Sequence, residues 1–232
     1  MPVFFLVELF SGTGSFSSAA EEEASKNGYT FKKLSVDIHP KYNPSTCIDI
    51  REWDYKQAVT SFLQEGLAPS DVLWVHASPP CNEYSRAKTC HPRDLDFADS
   101  LVQQALRIIT YCNPHVWTIE NPVGLLHTRP LMQHLAHFKN QTSYCKWGRP
   151  FRKHTHIWSN VALKLPVCCK GSFCKEKGLL GHHLVRAQTR DSVTGTGTVS
   201  KRQSLRDLYA LPPDLVGFVV RSALSERTGE VP

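Results

Sequence analysis

Runs of apolar residues alternate with amphipathic stretches through the first two thirds of the chain. Val3 to Leu9 is short and mostly apolar and predicts a buried strand. A glycine turn, Ser11-Gly12-Thr13-Gly14, leads from it into a helix over Ser17 to Lys26. Phe31 to Val36 predicts a second strand ending at Asp37, Tyr55 to Gln64 a helix, and Val72 to Ala77 another buried strand. Asp96 to Tyr111 carries apolar residues at helical spacing, with Phe97, Leu101, Ala105 and Ile108 or Ile109 on one face. His115 to Ile119 predicts a strand that runs into Glu120-Asn121-Pro122. Leu131 to Phe138 reads as a further helix and His154 to Trp158 as a further strand. This alternation predicts an α/β fold, a mostly parallel sheet with helices on both faces.

The pattern changes after about Pro166. Residues 167–200 hold three cysteines, a histidine pair and many Gly, Ser and Thr, and read as a small irregular Cys/His-rich insert. Leu205 to Leu224 is again helical and is expected to close on the main domain. The chain therefore divides into a main α/β unit over 1–160, an insert over 161–200 and a closing segment over 201–232.

At 232 residues the chain is long enough for one α/β domain with a sizeable core. The net charge of +6 is compatible with a polyanionic partner, and the basic residues concentrate late, from Lys146 to Arg206. No apolar run is long enough to span a bilayer, so no membrane partner is expected. The opening residues read as a first strand rather than a leader peptide, which predicts an intracellular protein. In that setting eight cysteines suggest thiols, a metal site or a catalytic group rather than a disulfide framework.

Four predicted strand ends carry residues with chemical potential, and a parallel sheet would bring all four to one edge. Glycines in the turn Phe10-Ser11-Gly12-Thr13-Gly14-Ser15 let the backbone approach a ligand closely, ahead of a helix N-terminus that favours anions. Asp37 stands at the distance where an acid binds ribose hydroxyls. Asp49-Ile50 follows a third candidate strand and is placed to reach an adenine. These residues fit an adenosine cofactor, with NAD and S-adenosylmethionine both open. Of the two remaining strand ends, one carries Ser78-Pro79-Pro80-Cys81, a thiol on a stiff loop facing the crevice where α/β sheets bind ligands, and the other carries Glu120-Asn121.

In this order the motifs resemble those of the cytosine-C5 DNA methyltransferases. Glu8-Leu9-Phe10-Ser11-Gly12-Thr13-Gly14-Ser15-Phe16 resembles the family's first motif, Asp-Leu-Phe-x-Gly-x-Gly-Gly. Ser78-Pro79-Pro80-Cys81 resembles its Pro-Pro-Cys loop, and Glu120-Asn121-Pro122 its Glu-Asn-Val motif. Tyr144 to Asn160, with Arg149, Arg152 and Lys153, resembles the basic strand region that follows. Arg202 to Pro212 loosely resembles the late arginine motif. The segment with Trp147-Gly148, Lys153 and Trp158-Ser159-Asn160 looks most like compact virus and phage members. Asn82 departs from the Gln that often follows the cysteine, Pro122 from the usual Val, and the spacing of Arg149 and Arg152 from Gln-x-Arg-x-Arg.

The resemblance implies a Rossmann-like domain that binds S-adenosylmethionine through Phe10, Ser11, Gly12, Thr13, Gly14, Ser15, Asp37, Ile38, Asp49, Ile50 and Pro79. Cys81 is the implied nucleophile: C5 of cytosine is a poor nucleophile until a thiolate adds at C6 and makes C5 enamine-like. Glu120 would hydrogen-bond N3 and the N4 amine of the base, which calls for a protonated carboxyl in a dry pocket. Arg149 or Arg152 would hold the cytosine O2. The target atom is hidden in a duplex, so the base must be flipped out or presented in a single strand. Asn82, Ser85, Arg86, Lys88, Arg93 and Lys153 are the expected nucleic-acid contacts.

Cys168, Cys169, Cys174, His182 and His183 fall close enough together to suggest tetrahedral zinc, with Cys145 as an outside candidate. The family's target-recognition region shrinks here to roughly residues 161–200. The partner expected is DNA, most simply a duplex with a flipped cytosine. RNA as substrate and a non-catalytic nucleic-acid-binding regulator are the rival readings.

Overall fold

The computed structural model describes residues 1–64, 66–166 and 204–228, together with 183, 185, 187, 192, 193, 199 and 200. Strands β1 (Val3–Leu9), β2 (Thr30–Asp37), β3 (Thr46–Cys47), β4 (Val72–Ala77), β5 (Val116–Pro122), β6 (Lys139–Ser143) and β7 (His154–Ser159) form one seven-stranded sheet. Its order is β3-β2-β1-β4-β5-β7-β6. The first five strands are parallel, while β7 runs antiparallel to β5 and to β6. The chain moves outward from β1 to β2, then returns to place β4 on the other side. The crevice above the β1–β4 boundary is therefore the topological switch point, where open α/β sheets bind ligands.

Helices cover both faces, as the alternation predicts. Helix α1 (Ser15–Lys26) packs on one face with the C-terminal helix α5 (Pro213–Thr228). There Phe16, Ala20 and Ala24 meet Leu215, Val219 and Ala223 over Phe4, Leu6 and Trp74 of the sheet. Helices α2 (Tyr55–Phe62) and α3 (Leu95–Cys112) cover the other face, over Phe5, Val7, Leu9, Leu73 and Val75. Asp54 and Asp94 cap α2 and α3, accepting from Gln57 N–H at 3.1 Å and Phe97 N–H at 2.9 Å. A short helix, α4 (Leu205–Tyr209), precedes α5. None of the described helices is long and apolar enough to cross a membrane.

Three expectations need correction. Phe97 does not join the buried face of α3: it is 44 % exposed and lies beneath the Arg51 guanidinium, 4.7 Å from its ring centre. It occupies the first turn of α3, beyond the edge of the sheet that buries Leu101, Ala105 and Ile108. Pro130–Phe138 forms a 3-10 run rather than an α-helix. Strand β6 was not expected, because Lys139-Asn140-Gln141-Thr142-Ser143 has no apolar pattern. It is an edge strand, held by pairing to β7 alone.

Of the insert, residues 161–166 and isolated later residues are described. Phe151 bridges to Val185, and Ser192–Val193 pairs with Val199–Ser200. Cys168, Cys169, Cys174 and His182 lie outside the described residues. Among the described residues no group of three or more His, Cys, Asp or Glu converges as a metal site would.

Candidate active site

The turn after β1 is built by left-handed backbone at Phe10 (φ 57°), Gly12 (φ 47°) and Gly14 (φ 67°). Such a φ is strained for a side-chain-bearing residue such as Phe10. Asp37 at the end of β2 stabilises the turn, accepting from Gly12 N–H at 2.7 Å through one carboxylate oxygen and from His39 N–H at 2.8 Å through the other. Asp37 thereby ties the two strand ends together while lining the space between them.

The loop after β4 is held from both sides. Ser78 N–H donates to Leu9 C=O at 3.2 Å, and the buried Asn121 side chain donates to Pro79 C=O at 2.9 Å. Beyond Cys81, Tyr84 N–H returns to the Cys81 carbonyl at 3.1 Å, and Leu125 N–H donates to Tyr84 C=O at 2.8 Å. Gly124 permits this approach, since a Cβ there would collide with the Tyr84 carbonyl oxygen.

These loops enclose a cleft of about 240 Å³ lined by Ser11 to Thr13, Asp37, Ser78 to Asn82, Glu120, Lys153, Tyr209 and Leu211, among others. Glu120 is buried and accepts from Tyr144 Oη at 3.3 Å and, through a short contact, from Thr155 Oγ1. Lys153 Nζ lies 4.6 Å from the centre of the Tyr144 ring and donates to Leu208 C=O at 2.5 Å. Burial pushes the Cys81 thiol above its ordinary pKa, and the Lys153 ammonium opposes this. Burial pulls the Lys153 pKa down, while Glu120 and Cys81 hold it up. A thiol, a carboxyl and an ammonium thus share one enclosed space.

A second pocket of about 270 Å³ adjoins the first, sharing Phe10, Asp37, His39, Pro80 and Asn82. Val36, Ile38, Ile48, Ile50 and Phe97 give it apolar walls, and Ile38 is 58 % exposed there. An apolar slot joined to a cleft by a carboxylate suits a flat heterocycle with an attached sugar, so the residues fit an adenosyl group. Asp49 lines the slot, and its carboxylate is held by Arg51 Nη2 at 2.6 Å and Nε at 3.0 Å.

The basic residues sort differently from the sequence expectation. Neither Arg149 nor Arg152 lines the cleft. Arg149 lies in a groove with Thr13, Ser15 and Arg206, and Arg152 is exposed. Lys153, expected to meet nucleic acid, is the cation that faces Cys81 and Glu120. Lys153 immediately precedes β7 and faces the cleft, whereas its neighbour Arg152 is exposed.

In the segment after Cys81, Arg93 donates to the carbonyls of Glu83 (2.8 Å), Ser85 (2.7 Å) and Lys88 (2.9 Å). Lys88 pairs with Glu83 at 2.5 Å. Both basic side chains therefore staple their own loop, whereas Arg86 and Asn82 are exposed. Sequence reading missed Tyr209 and Leu211, which reach the cleft from the C-terminal segment; Leu211 N–H donates to Ser15 Oγ at 2.9 Å. Only chain closure brings these residues there.

Glu8 supplies a pH-dependent element beneath the turn. Its carboxylate accepts from Ser17 N–H at 3.3 Å, inside the first turn of α1, and its other oxygen has no hydrogen-bond partner among the described residues. Burial raises its pKa from 4.5 to about 7, against the lowering effect of the Ser17 hydrogen bonds and of Lys33. Between those two values the folded protein keeps a proton that the unfolded chain has lost, so stability falls as pH rises through the window. The loss amounts to roughly 3 kcal/mol once both states are ionised. Denaturant unfolding of Glu8→Gln from pH 4 to 8 is expected to show this slope removed and the variant more stable than wild type at pH 8. An unchanged slope would assign the pH dependence to other groups.

Fold and cleft together define a Rossmann-like α/β protein with a cysteine loop at its switch point, beside a slot suited to an adenosyl group. The chain is 28% identical over 181 residues to a probable DNA (cytosine-5)-methyltransferase of frog virus 3 (isolate Goorha), a similarity covering 72% of this chain and 75% of the relative. No family model matches the sequence. This similarity agrees with the motif resemblance to the cytosine-C5 DNA methyltransferases.

Proposed function

We propose that this protein transfers a methyl group from S-adenosylmethionine to C5 of cytosine in DNA through a covalent adduct between Cys81 and C6. The observation that carries the reading is the convergence of Cys81, Glu120 and Lys153 in one cleft, joined through Asp37 to the apolar slot.

S-adenosylmethionine, when bound, supplies an electrophilic methyl on a sulfonium. Phe10 to Ser15, Asp37, Ile38, Asp49, Ile50 and Pro79 would hold it, with the heterocycle against Ile38 and Ile50 and the ribose at Asp37. Lys153 stabilises the thiolate of Cys81, which adds to C6 of the cytosine. The electron pair of the C5–C6 double bond is then available at C5 to form the new bond to the methyl carbon, as the carbon–sulfur bond breaks and its pair stays on the departing thioether. Glu120 hydrogen-bonds N3 and the N4 amine, offsetting charge that builds on the ring as the thiolate adds. Tyr144 and Thr155 fix the Glu120 carboxyl. Loss of the C5 proton to water returns the electron pair, re-forms the double bond and expels Cys81. The ring atoms that react are inaccessible inside a stacked duplex, so the target cytosine is flipped out or unpaired. Exposed Asn82 and Arg86 are the post-cysteine residues placed to meet the backbone, and Ser85 stands between them. Residues 201–232 act with the catalytic unit 1–160, because Leu208 and Leu211 contact Lys153 and Ser15. Residues 161–200 are left as the target-recognition insert.

Labelled S-adenosylmethionine offered with unmodified duplex DNA, single-stranded DNA and RNA tests the reading. Label on C5 of DNA cytosine is the expected outcome. Label confined to RNA would move the substrate class, and no label on any substrate would overturn catalysis in favour of a binding role.

A further inference from the structure

Behind the cysteine loop, four side chains form an unbroken hydrogen-bonded chain. Trp74 Nε1 donates to Thr118 Oγ1 at 2.9 Å, Thr118 Oγ1 lies 2.8 Å from His76 Nδ1, and His76 Nε2 lies 2.9 Å from Ser78 Oγ. Trp74, Thr118 and His76 are fully buried. The His76 ring is also stacked on Phe16, 3.6 Å between centres and 4° from parallel. Only Ser78, at the outer end, reaches the cleft.

The chemistry of the members gives the chain a direction. An indole N–H can only donate, so Thr118 Oγ1 accepts at that end. The Thr118 hydroxyl then needs an acceptor for its own proton, and His76 Nδ1 is its one remaining partner among the described hydrogen bonds. Burial holds the imidazole neutral, pulling its pKa down to about 3, so the ring carries a single proton. If Nδ1 accepts, that proton sits on Nε2 and is donated to Ser78 Oγ. Ser78, having accepted, keeps its own hydroxyl proton for the cleft.

We propose that Ser78 is a hydrogen-bond donor to a ligand oxygen in the cleft, and that Trp74, Thr118 and His76 are positioning residues that fix its polarity. Strand β4 lies between β1 and β5, so Ser78 stands between the glycine turn and Glu120. Of the ligands proposed above, two carry a candidate oxygen: the methyl donor its amino-acid carboxylate, and the base its carbonyl. The identity of the ligands rests on the function proposed above; the direction of the chain does not.

Two measurements on the intact protein test this. The first is ¹⁵N NMR of the ring nitrogens of His76, assigned by difference from His76→Gln. The neutral Nε2–H tautomer is expected, unchanged between pH 5.5 and 8, with the preference relaxed in Trp74→Phe. The second is steady-state methyl transfer. Ser78→Ala is expected to lower kcat/KM about 10- to 100-fold, Thr118→Val to do the same, and the double variant to be no worse than Ser78→Ala. A raised KM for the methyl donor alone assigns the acceptor to its carboxylate, and a loss confined to DNA assigns it to the base carbonyl. An Nδ1–H tautomer, or wild-type constants in Ser78→Ala, overturns the proposal. Should the wild-type protein transfer no methyl at all, the function above falls. The tautomer and the affinities of Ser78→Ala for S-adenosylmethionine and for cytosine-containing DNA then decide this inference, equal affinities overturning it.

Discussion

Cys81→Ala is expected to lose methyl transfer to cytosine by at least about 10⁴-fold, while S-adenosylmethionine binds as tightly as to wild type. The cofactor slot and the thiol lie on different walls: Ile38, Ile50 and Phe97 shape the slot, and Cys81 does not line it. No other described cysteine can replace it. Cys112 stands outside the cleft, and burial pushes its thiol up to about 12. Cys145 is buried, with its thiol on Ser143 Oγ at 3.4 Å. Cys47 and Cys90 are exposed, and neither lines the cleft. Transfer of tritiated methyl groups, with binding measured by calorimetry on the same preparation, checks both halves. Transfer by Cys81→Ala at wild-type rate would exclude the covalent route.

Lys153→Met is expected to lower methyl transfer at neutral pH by about 10²-fold and to move the inflection of Cys81 alkylation to higher pH. The sign follows from charge. Burial already disfavours the thiolate, Glu120 adds to that, and Lys153 is the cation that opposes both. Removing it leaves the thiol harder to ionise, so less thiolate is present at a given pH. Lys153→Arg keeps the charge and is expected to keep the inflection near that of wild type. The rate of iodoacetamide modification of the Cys81 peptide, followed by mass spectrometry across pH, reads this directly. An inflection in Lys153→Met that stays in place or moves lower would remove Lys153 from the reaction. The two variants separate different failures: Cys81→Ala tests whether a covalent bond forms, and Lys153→Met tests what makes the thiol able to form it.

The two substitutions also differ in how visible their targets are before folding. Cys81 stands out because two prolines and an apolar strand precede it, a local arrangement that any sheet would present at its edge. Lys153 sits among Arg149, Arg152 and His154 and has no local mark. Its importance arises when β7, which it immediately precedes, pairs antiparallel with β5 and brings it into the cleft with Glu120. Arg93 and Lys88 show the reverse: basic residues after a nucleophile suggest phosphate contacts, yet backbone carbonyls and Glu83 claim them once the loop folds on itself.

Sequence alone determined the elements whose signal is local and repeated. Apolar runs marked β1, β4 and most of β5, amphipathic spacing marked α1 and α3, and the glycine turn, Asp37, the Pro-Pro-Cys loop and Glu120-Asn121 fell at strand ends that a parallel sheet must gather on one edge. Tertiary structure alone decided which side chains complete the cleft. Tyr209 and Leu211 come from a segment more than a hundred residues beyond Cys81, and Thr118 and His76 meet only because β4 and β5 pair in register. The polar edge strand β6 and the exposed Phe97 follow the same rule. Hydrophobic periodicity records what a residue does within its own element, whereas pairing partners, burial and electrostatic neighbours are set by elements distant in the chain.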